Sequence, residues 1–211
     1  MPHIVVDAGH GGFDSGASFF GYKEKDINLS VSRKVAARLR QLGFQVTELR
    51  TDDSDVGNAG VRGKKIAELK PDFAISIHAN SSGGQGKLQG AEIYTPMTKS
   101  PARFEYYLRE ELRKLTKFRH IWSKESRTQK LYERHIDPDS KKYTQTYPDK
   151  AEFYGIIRES RAGGVNTDII EMFYLDSEPD LYTFLPQEDK FVEAIVKAMA
   201  EAFNMKYTAP A

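Results

Sequence analysis

Near the start of the chain, the segment Ile4-Val5-Val6-Asp7-Ala8-Gly9-His10-Gly11-Gly12 is a short apolar run that ends in small and polar residues. A second run of this kind, Ile75-Ser76-Ile77-His78-Ala79-Asn80, lies further along the chain. Short apolar runs bounded by turn residues are typical of buried strands. Each histidine is therefore expected to emerge at the carboxyl end of a strand.

Strand and helix patterns alternate along the rest of the chain. The predicted strands cover residues 3–7, 44–49, 73–77, 91–94 and 168–172, and the predicted helices cover 26–42, 61–69, 103–115 and 191–203. Such alternation favours an α/β fold with a mostly parallel sheet and helices on both faces. Sheets of this kind carry their sites at the carboxyl ends of the strands, where both histidines are expected.

The composition indicates one folded domain and excludes several classes of partner. Of the 211 residues, 39% are apolar and 29% are charged, as in soluble globular enzymes. The net charge of +1 argues against nucleic-acid binding, and no stretch approaches the ~20 apolar residues of a membrane span. Because the chain has no cysteine, only His, Asp and Glu remain as metal ligands.

The two ends of the chain lead to further expectations. Met1-Pro2-His3 runs directly into an apolar and then acidic segment, so no signal peptide is predicted. We therefore expect synthesis in the cytoplasm, with release or export if the substrate lies outside. Residues 1–205 are predicted to form one catalytic domain, with 206–211 as a tail or linker stub, and a monomer is the default expectation.

The segment 117–154 lacks periodicity, and its length is typical of a functional or disordered loop. It is rich in aromatic residues, and residues 103–142 carry twelve Lys or Arg against seven Asp or Glu. One interpretation is a solvated helix face followed by a loop. The other is a basic and aromatic wall that holds an anionic, sugar-containing substrate.

Two histidines and one carboxylate provide the elements of an open zinc site. Glu24 lies fourteen positions after His10, at the start of an amphipathic stretch, and His78 follows on another strand. Three protein ligands and one position for water are typical of catalytic zinc, which indicates metal-assisted hydrolysis. The alternative for Glu24 is an ordinary acidic residue at a helix N-terminus, favoured there by the helix dipole.

Other residues near the first histidine have supporting roles in this interpretation. Gly9, Gly11, Gly12 and Gly16 do not have the spacing of a phosphate-binding loop, and we expect them to let the backbone turn sharply. Asp7 and Asp14 are predicted to hydrogen-bond the ligand imidazoles. The remaining histidines have no comparable context and are assigned to the surface or to a substrate loop: His3, His120 and His135.

Glu171 is an acid inside an apolar strand, after Asp168-Ile169-Ile170. A carboxyl group in apolar surroundings has a raised pKa, which suits a general acid or base. Burial without a partner is costly, so a partner such as a metal-bound water is expected.

At this point the chain resembles a known family, the zinc-dependent N-acetylmuramoyl-L-alanine amidases, often called amidase type 3. The resemblance rests on blocks that occur in family order over nearly the whole chain: residues 5–17, 24–29, 76–80, 90–94 and 169–171. It implies one α/β domain with a twisted central sheet of about six strands. The implied substrate is the amide between the muramyl lactyl group and L-alanine of peptidoglycan.

The resemblance also implies residue roles. His10, Glu24 and His78 would bind Zn²⁺, which would polarise the carbonyl and lower the pKa of its water toward ~7. Glu171 would be the catalytic acid, taking the proton of that water and passing it to the alanine nitrogen. Asn80 is a candidate substrate-binding residue.

The chain departs from the family at two places, and competing hypotheses stay open. Family members usually follow the catalytic Glu with Gly-Phe, whereas this chain has Met172-Phe173, and the segment 117–154 is longer than in the shorter members. The lead interpretation is a catalytic module of a phage endolysin or bacterial autolysin. The alternatives are a zinc carboxypeptidase-like peptidase acting on wall peptides and an inactive wall-binding module.

Overall fold

The computed structural model of the protein describes residues 1–84, 86–96, 102–115, 152 and 154–210, together with the backbone of the strand at 121–125. Most of the segment 117–154, for which a solvated loop and a basic and aromatic wall were the two interpretations, lies outside these residues, as do His120 and His135.

Within the described residues the chain forms eight strands and six α-helices. The strands are β1 His3–Ala8, β2 Ser18–Phe19, β3 Tyr22–Lys23, β4 Gln45–Glu48, β5 Phe73–Asn80, β6 Ala91–Thr95, β7 Ile121–Glu125 and β8 Thr167–Tyr174. The helices are α1 Glu24–Gln41, α2 Ala59–Leu69, α3 Phe104–Leu112, α4 Gly155–Ala162, α5 Glu178–Phe184 and α6 Glu188–Ala202, with a 3₁₀ turn at Leu185–Gln187.

Six strands form one sheet in the order β4-β1-β5-β8-β6-β7, and β2 and β3 form a separate small hairpin. The pairings β4/β1, β1/β5, β5/β8 and β6/β7 are parallel. The pairing of β6 with β8 is antiparallel. The prediction of a mostly parallel sheet is therefore confirmed.

Helices cover both faces of the sheet, as the alternating side chains of β1 show. Ile4 and Val6 pack into the larger core cluster, which also holds apolar residues of α1, α3 and α6. Val5 points to the other face, into a cluster with residues of α2 and α4. The larger cluster includes Val31 and Leu39 of α1, which supply the helical periodicity seen in the sequence.

The predicted strands and helices are present, with some differences in extent and number. β5 continues to Asn80, so His78 lies inside the strand instead of after it. Strand β7 occupies part of the segment predicted to be irregular. Helices α4 and α5 were not predicted, because they have only eight and seven residues and α5 carries a proline in its first turn. Such short elements leave little periodicity to detect.

The chain after α6 contacts the helices. The Tyr207 hydroxyl donates to Glu193 Oε2 at 2.8 Å, and Arg38 Nη2 donates to the Thr208 carbonyl at 2.8 Å. In the described part of the chain, no helix combines the length and the apolar character that crossing a membrane requires.

Candidate metal centre and active site

Three neighbouring parallel strands bring the candidate residues to one edge of the sheet. His10 lies two residues after the end of β1, and His78 lies near the end of β5. Glu171 lies on β8 in register with His78. Since β1, β5 and β8 are adjacent and parallel, these three side chains share the carboxyl edge of the sheet.

Glu24 reaches the same edge as the first residue of α1. Its backbone N–H donates to the Ala17 carbonyl at 2.8 Å, and its carboxylate oxygen Oε2 accepts from the Ala17 N–H at 2.9 Å. Asn28, one turn later, donates from Nδ2 to Glu24 Oε1 at 3.4 Å and to the Gly9 carbonyl at 3.2 Å. These bonds fix the carboxylate while leaving Oε1 directed at the histidines.

The two imidazoles and the carboxylate converge on one point. Glu24 Oε1 lies 3.1 Å from His10 Nε2 and 3.0 Å from His78 Nδ1. One ligand atom from each of the three residues lies within 4.8 Å of the others. The two rings are 5.0 Å apart and nearly perpendicular.

Two glycines make this convergence possible. A Cβ atom on Gly9 would overlap the His78 ring. A Cβ atom on Gly16 would lie 2.5 Å from Glu24 Oε2 and 2.7 Å from His10 Cδ2. The glycines were expected to let the backbone turn sharply. Gly9 and Gly16 also leave the space that the side chains of His10, Glu24 and His78 occupy.

Of the two aspartates predicted to hydrogen-bond the histidines, Asp14 does so and Asp7 does not. Asp14 Oδ2 lies 2.8 Å from His10 Nδ1, which leaves Nε2 for a metal. Asp7 contacts no histidine among the described residues, since it accepts from Arg62 at 2.7 Å and from Ser76 at 2.7 Å. The pairing of β1 with β5 places Asp7 opposite Ser76.

The loop that carries His10 is held by two buried arginines that sequence reasoning missed. Arg50 donates to the carbonyls of Ala8 and Gly9, and Arg62 donates to those of Ala8 and His10. His10 itself has φ +62°, a left-handed conformation that costs about 1–3 kcal/mol in a non-glycine residue. These contacts stabilise the strained backbone, and no motif in the sequence indicated them.

The hydrogen bonds among the three residues shift the pKa values of Glu24 and His78. Burial alone would raise the pKa of Glu24, but its hydrogen bonds with His10 and His78 outweigh that effect and hold its pKa well below the ordinary range. Burial opposes the charged form of His78, yet the bond to Glu24 raises the pKa of His78 to about 9. Metal binding at these nitrogens would release a proton.

Glu171 faces the same cleft. Its Oε2 atom is buried and has no hydrogen-bond partner in the part of the chain that the structure describes. Burial, opposed by the charge of His78 and assisted by the charges of Glu24 and Glu92, raises the pKa of Glu171 to about 7. A carboxyl group with such a pKa can exchange a proton near neutral pH.

The cleft has a volume of about 290 Å³. The predicted residues His10, Glu24, His78, Asn80 and Glu171 all line it. The other lining residues had no signal in the sequence that marked them for this site: Ala59, Ala79, Ser81, Tyr154, Gly155, Ile156 and Ile169. His3 lies on β1 at the opposite end from His10, with Nε2 2.9 Å from Thr47 Oγ1. The structure thus brings together every residue of the predicted site.

The donor set fits zinc. Tetrahedral zinc with bonds of about 2.0–2.1 Å to imidazole nitrogen places neighbouring ligand atoms about 3.3 Å apart. The two separations from Glu24 Oε1 to the histidine nitrogens, 3.1 and 3.0 Å, are close to that spacing. Glu171 Oε2, which has no hydrogen-bond partner among the described residues, gives the same cleft a polar atom that a water or a substrate group can contact.

Comparison with known proteins gives partial sequence matches. The chain is 42% identical over 85 residues to the endolysin of Bacillus phage SPP1, covering 39% of this chain and 31% of the endolysin. It is 31% identical over 125 residues to the germination-specific N-acetylmuramoyl-L-alanine amidase of Bacillus subtilis, covering 53% of this chain and 52% of that protein. The match spans less than half the length of the first curated relatives.

Similarity to solved structures extends over almost the entire chain. The N-acetylmuramoyl-L-alanine amidase AmiC2 of Nostoc punctiforme aligns with a TM-score of 0.70 at 25% identity, covering 96% of this chain and 97% of that one. The catalytic domain of CwlV, from Paenibacillus polymyxa, aligns with a TM-score of 0.69 at 26% identity, covering 97% of each chain. The model of the N-acetylmuramoyl-L-alanine amidase family matches residues 4–204, and the chain therefore belongs to that family.

Proposed function

We propose that the protein hydrolyses the amide bond between N-acetylmuramic acid and L-alanine in bacterial peptidoglycan, with zinc as its cofactor. One observation carries the proposal. His10, Glu24 and His78 converge on one point beside Glu171 in a single cleft, in a chain of the amidase family.

In this proposal the three converging residues hold the metal. His10 would bind through Nε2, since Asp14 occupies its other nitrogen, and His78 and Glu24 would bind through Nδ1 and Oε1. Bound zinc supplies Lewis-acid polarisation of the scissile carbonyl and favours ionisation of water. The family resemblance that suggested these three ligands is consistent with their geometry here.

Glu171 would move the proton. Water adds to the carbonyl carbon of the lactyl group, and Glu171 accepts the proton that this water loses. The C–N bond then breaks, and the same carboxyl group delivers the proton to the departing alanine nitrogen. A pKa of about 7 suits both steps, because a general acid–base residue works best with a pKa near the working pH.

The product of the reaction tests the proposal. Purified peptidoglycan is incubated with the zinc-loaded protein, with and without a chelator, and new amino termini are identified. We expect L-alanine amino termini, lost with chelator and restored by zinc. Release of a C-terminal amino acid would instead support the carboxypeptidase alternative, and wall binding without turnover would support the binding-module alternative.

The place of action follows from the substrate. We propose that the protein acts on the cell wall after release or export, as a phage endolysin or a bacterial autolysin does. The support is the similarity to an endolysin and to a germination-specific amidase. Lysis of bacteria by protein added from outside, compared with lysis on expression inside the cell, would distinguish the two settings.

A further inference from the structure

A second buried carboxylate lies beside the cleft and takes up no proton in the mechanism above, although it contributes to the raised pKa of Glu171. Glu92 on β6 is 2% exposed and lies directly opposite Glu171 in the antiparallel pairing of β6 with β8. Side chains opposite each other in such a pair project from the same face of the sheet. The two carboxylates are therefore neighbours, although Glu92 is not among the residues that line the cleft.

Glu92 hydrogen-bonds a residue that does line the cleft. Asn80 Nδ2 donates to Glu92 Oε2 at 3.3 Å. The Tyr94 hydroxyl donates to the same oxygen in a close contact. At its other end, the Asn80 amide accepts the Ser81 N–H through Oδ1 at 2.8 Å.

These contacts determine which way the Asn80 amide points. Glu92 Oε2 accepts the Tyr94 hydroxyl and faces the Asn80 amide, so the NH₂ end of the amide, which can donate, points to Glu92. The Ser81 N–H only donates, so the carbonyl end of the amide must face Ser81. The flipped amide would place oxygen against carboxylate and NH₂ against N–H. Within the described part of the chain the second N–H of Asn80 Nδ2 makes no hydrogen bond, and Asn80 lines the cleft, so this N–H is open to a ligand.

We propose that Glu92 is a positioning residue that holds the Asn80 amide so that its remaining N–H donates to a carbonyl oxygen of the substrate. The inference rests on the proposed function, because it names the substrate as a peptide-bearing glycan with a carbonyl group within reach of Asn80. Glu92 acts through Asn80 and does not itself contact the substrate.

The location of Glu92 argues against a purely structural role. On its own face of the sheet Glu92 lies opposite Glu171 and beside Tyr94, where it is 2% exposed. A buried carboxylate next to another acid is costly, and a well-packed apolar residue there would often be as stable or more stable. An apolar residue at this position could not accept the hydrogen bond of Asn80 Nδ2, which lines the cleft.

Kinetics on a soluble muramyl peptide test the inference. Glu92→Gln keeps the shape of the side chain, but its amide can both accept and donate hydrogen bonds. The Asn80 amide is then no longer held in one orientation. We expect Glu92→Gln and Asn80→Ala each to lower kcat/KM about tenfold, the effect of one lost hydrogen bond of 1–1.5 kcal/mol. The double variant should show no further loss, because both changes remove the same contact.

A second substitution avoids any change at Glu92. Asn80→Asp has the size of asparagine but no N–H donor. We expect a loss at least as large as that of Asn80→Ala, with zinc content unchanged. Glu111→Gln is the matched control, since Glu111 is another buried acid, bound to Lys114 and Lys197 on a remote face. It should leave kcat/KM unchanged.

A measurement independent of turnover completes the design. The Asn80 side-chain NH₂ signals are assigned in a ¹H–¹⁵N spectrum by their loss in Asn80→Ala. We expect these signals to shift in Glu92→Gln and to remain in place in Glu111→Gln. Unshifted Asn80 signals in Glu92→Gln, or independent losses that multiply in the double variant, would overturn the inference. An inactive wild-type protein would contradict the proposed function, and the spectrum would still decide the role of Glu92.

Discussion

Gly9 and Gly16 lie against the side chains of the candidate metal centre, and each leaves space that a methyl group would fill. Gly9 does not have a positive φ, so its need for glycine comes from the His78 ring alone. Gly16 has both a φ of +62° and the close approach of Glu24 and His10. The glycine-rich sequence thus permits the metal ligands to approach one another.

Gly9→Ala should weaken zinc binding. The added Cβ forces the His78 ring away from Glu24, and disturbed ligand orientation typically costs 10–100-fold in metal affinity. Competition with a chromophoric chelator measures the affinity. Gly164→Ala is the control, because Gly164 has a positive φ but nothing within 4 Å of its Cβ position. It should lower the melting temperature and leave zinc affinity unchanged, and equal zinc affinity in Gly9→Ala would contradict the steric argument.

Short patterns in the sequence marked three of the four candidate residues, since the histidines end apolar runs and Glu171 interrupts an apolar strand. Glu24 has only the pattern of an ordinary helix start, and its predicted role came from the family resemblance. The role of Glu92 could not be predicted in this way, since it depends on the register of β6 against β8. The prediction for Asp7 was wrong for the same reason, because strand pairing and not sequence proximity determines its partners.

At the scale of elements, strands with long apolar runs and helices with clear periodicity were predicted, and short elements were not. β5 and β8 carry runs of buried residues, and α6 repeats apolar residues over fifteen positions. α4 provides a wall of the cleft, yet its eight residues contain only two consecutive isoleucines as a signal. Its position depends on packing against α2, which a local pattern does not encode.

Strand β8 also contains an energetic liability, which predicts a stabilising substitution. Asp168 is fully buried, and neither of its carboxylate oxygens has a hydrogen-bond partner in the described structure. Burial, with a smaller contribution from Glu105, raises the pKa of Asp168 well above its usual value. Asp168→Asn should raise the free energy of unfolding at pH 7 by roughly 1 kcal/mol, or about 2–4 °C in melting temperature.

The pH dependence of that gain follows from the sign of the shift. An acid whose pKa is raised on folding costs stability above its unfolded pKa of about 3.9, and the cost disappears below it. The gain should therefore vanish as pH falls toward 4. Asp176→Asn should act oppositely and destabilise, because Asp176 accepts from Ser82, Gly84 and Gly86. A melting temperature of Asp168→Asn below that of the wild type at pH 7 would contradict the assignment.

At the scale of the whole molecule, metal binding and folding are coupled. The candidate ligands follow β1, begin α1 and lie in β5, three elements that meet only in the folded chain. An unfolded chain presents no such site, so binding energy adds to folding stability. The same packing holds β1 between β4 and β5, with α1 against the sheet.

Zinc should therefore raise the melting temperature. At a free concentration 100 times Kd, the expected stabilisation is about 2.7 kcal/mol, which corresponds to roughly 5–10 °C for a domain of this size. Differential scanning fluorimetry with and without zinc measures the shift. His10→Ala should abolish most of it, and His3→Ala, at the other end of β1, should retain it. A shift of equal size in His10→Ala would place the zinc elsewhere.

Expectations about the rest of the molecule stay predictions. These are the catalytic domain at 1–205, the monomeric state and the lack of nucleic-acid binding. The contacts of Tyr207 and Thr208 with α6 and α1 show that part of the predicted tail packs on the domain. Composition and charge suggested these properties, but none of them follows from the fold.

In the proposed mechanism, metal binding and proton transfer belong to different side chains of one cleft. The decisive measurement is the zinc content and the turnover of Glu171→Gln on the same sample. We expect a full complement of zinc with a rate of L-alanine release about 100-fold to 10,000-fold below that of the wild type. Zinc-loaded Glu171→Gln with a rate close to that of the wild type would show that Glu171 does not transfer the proton.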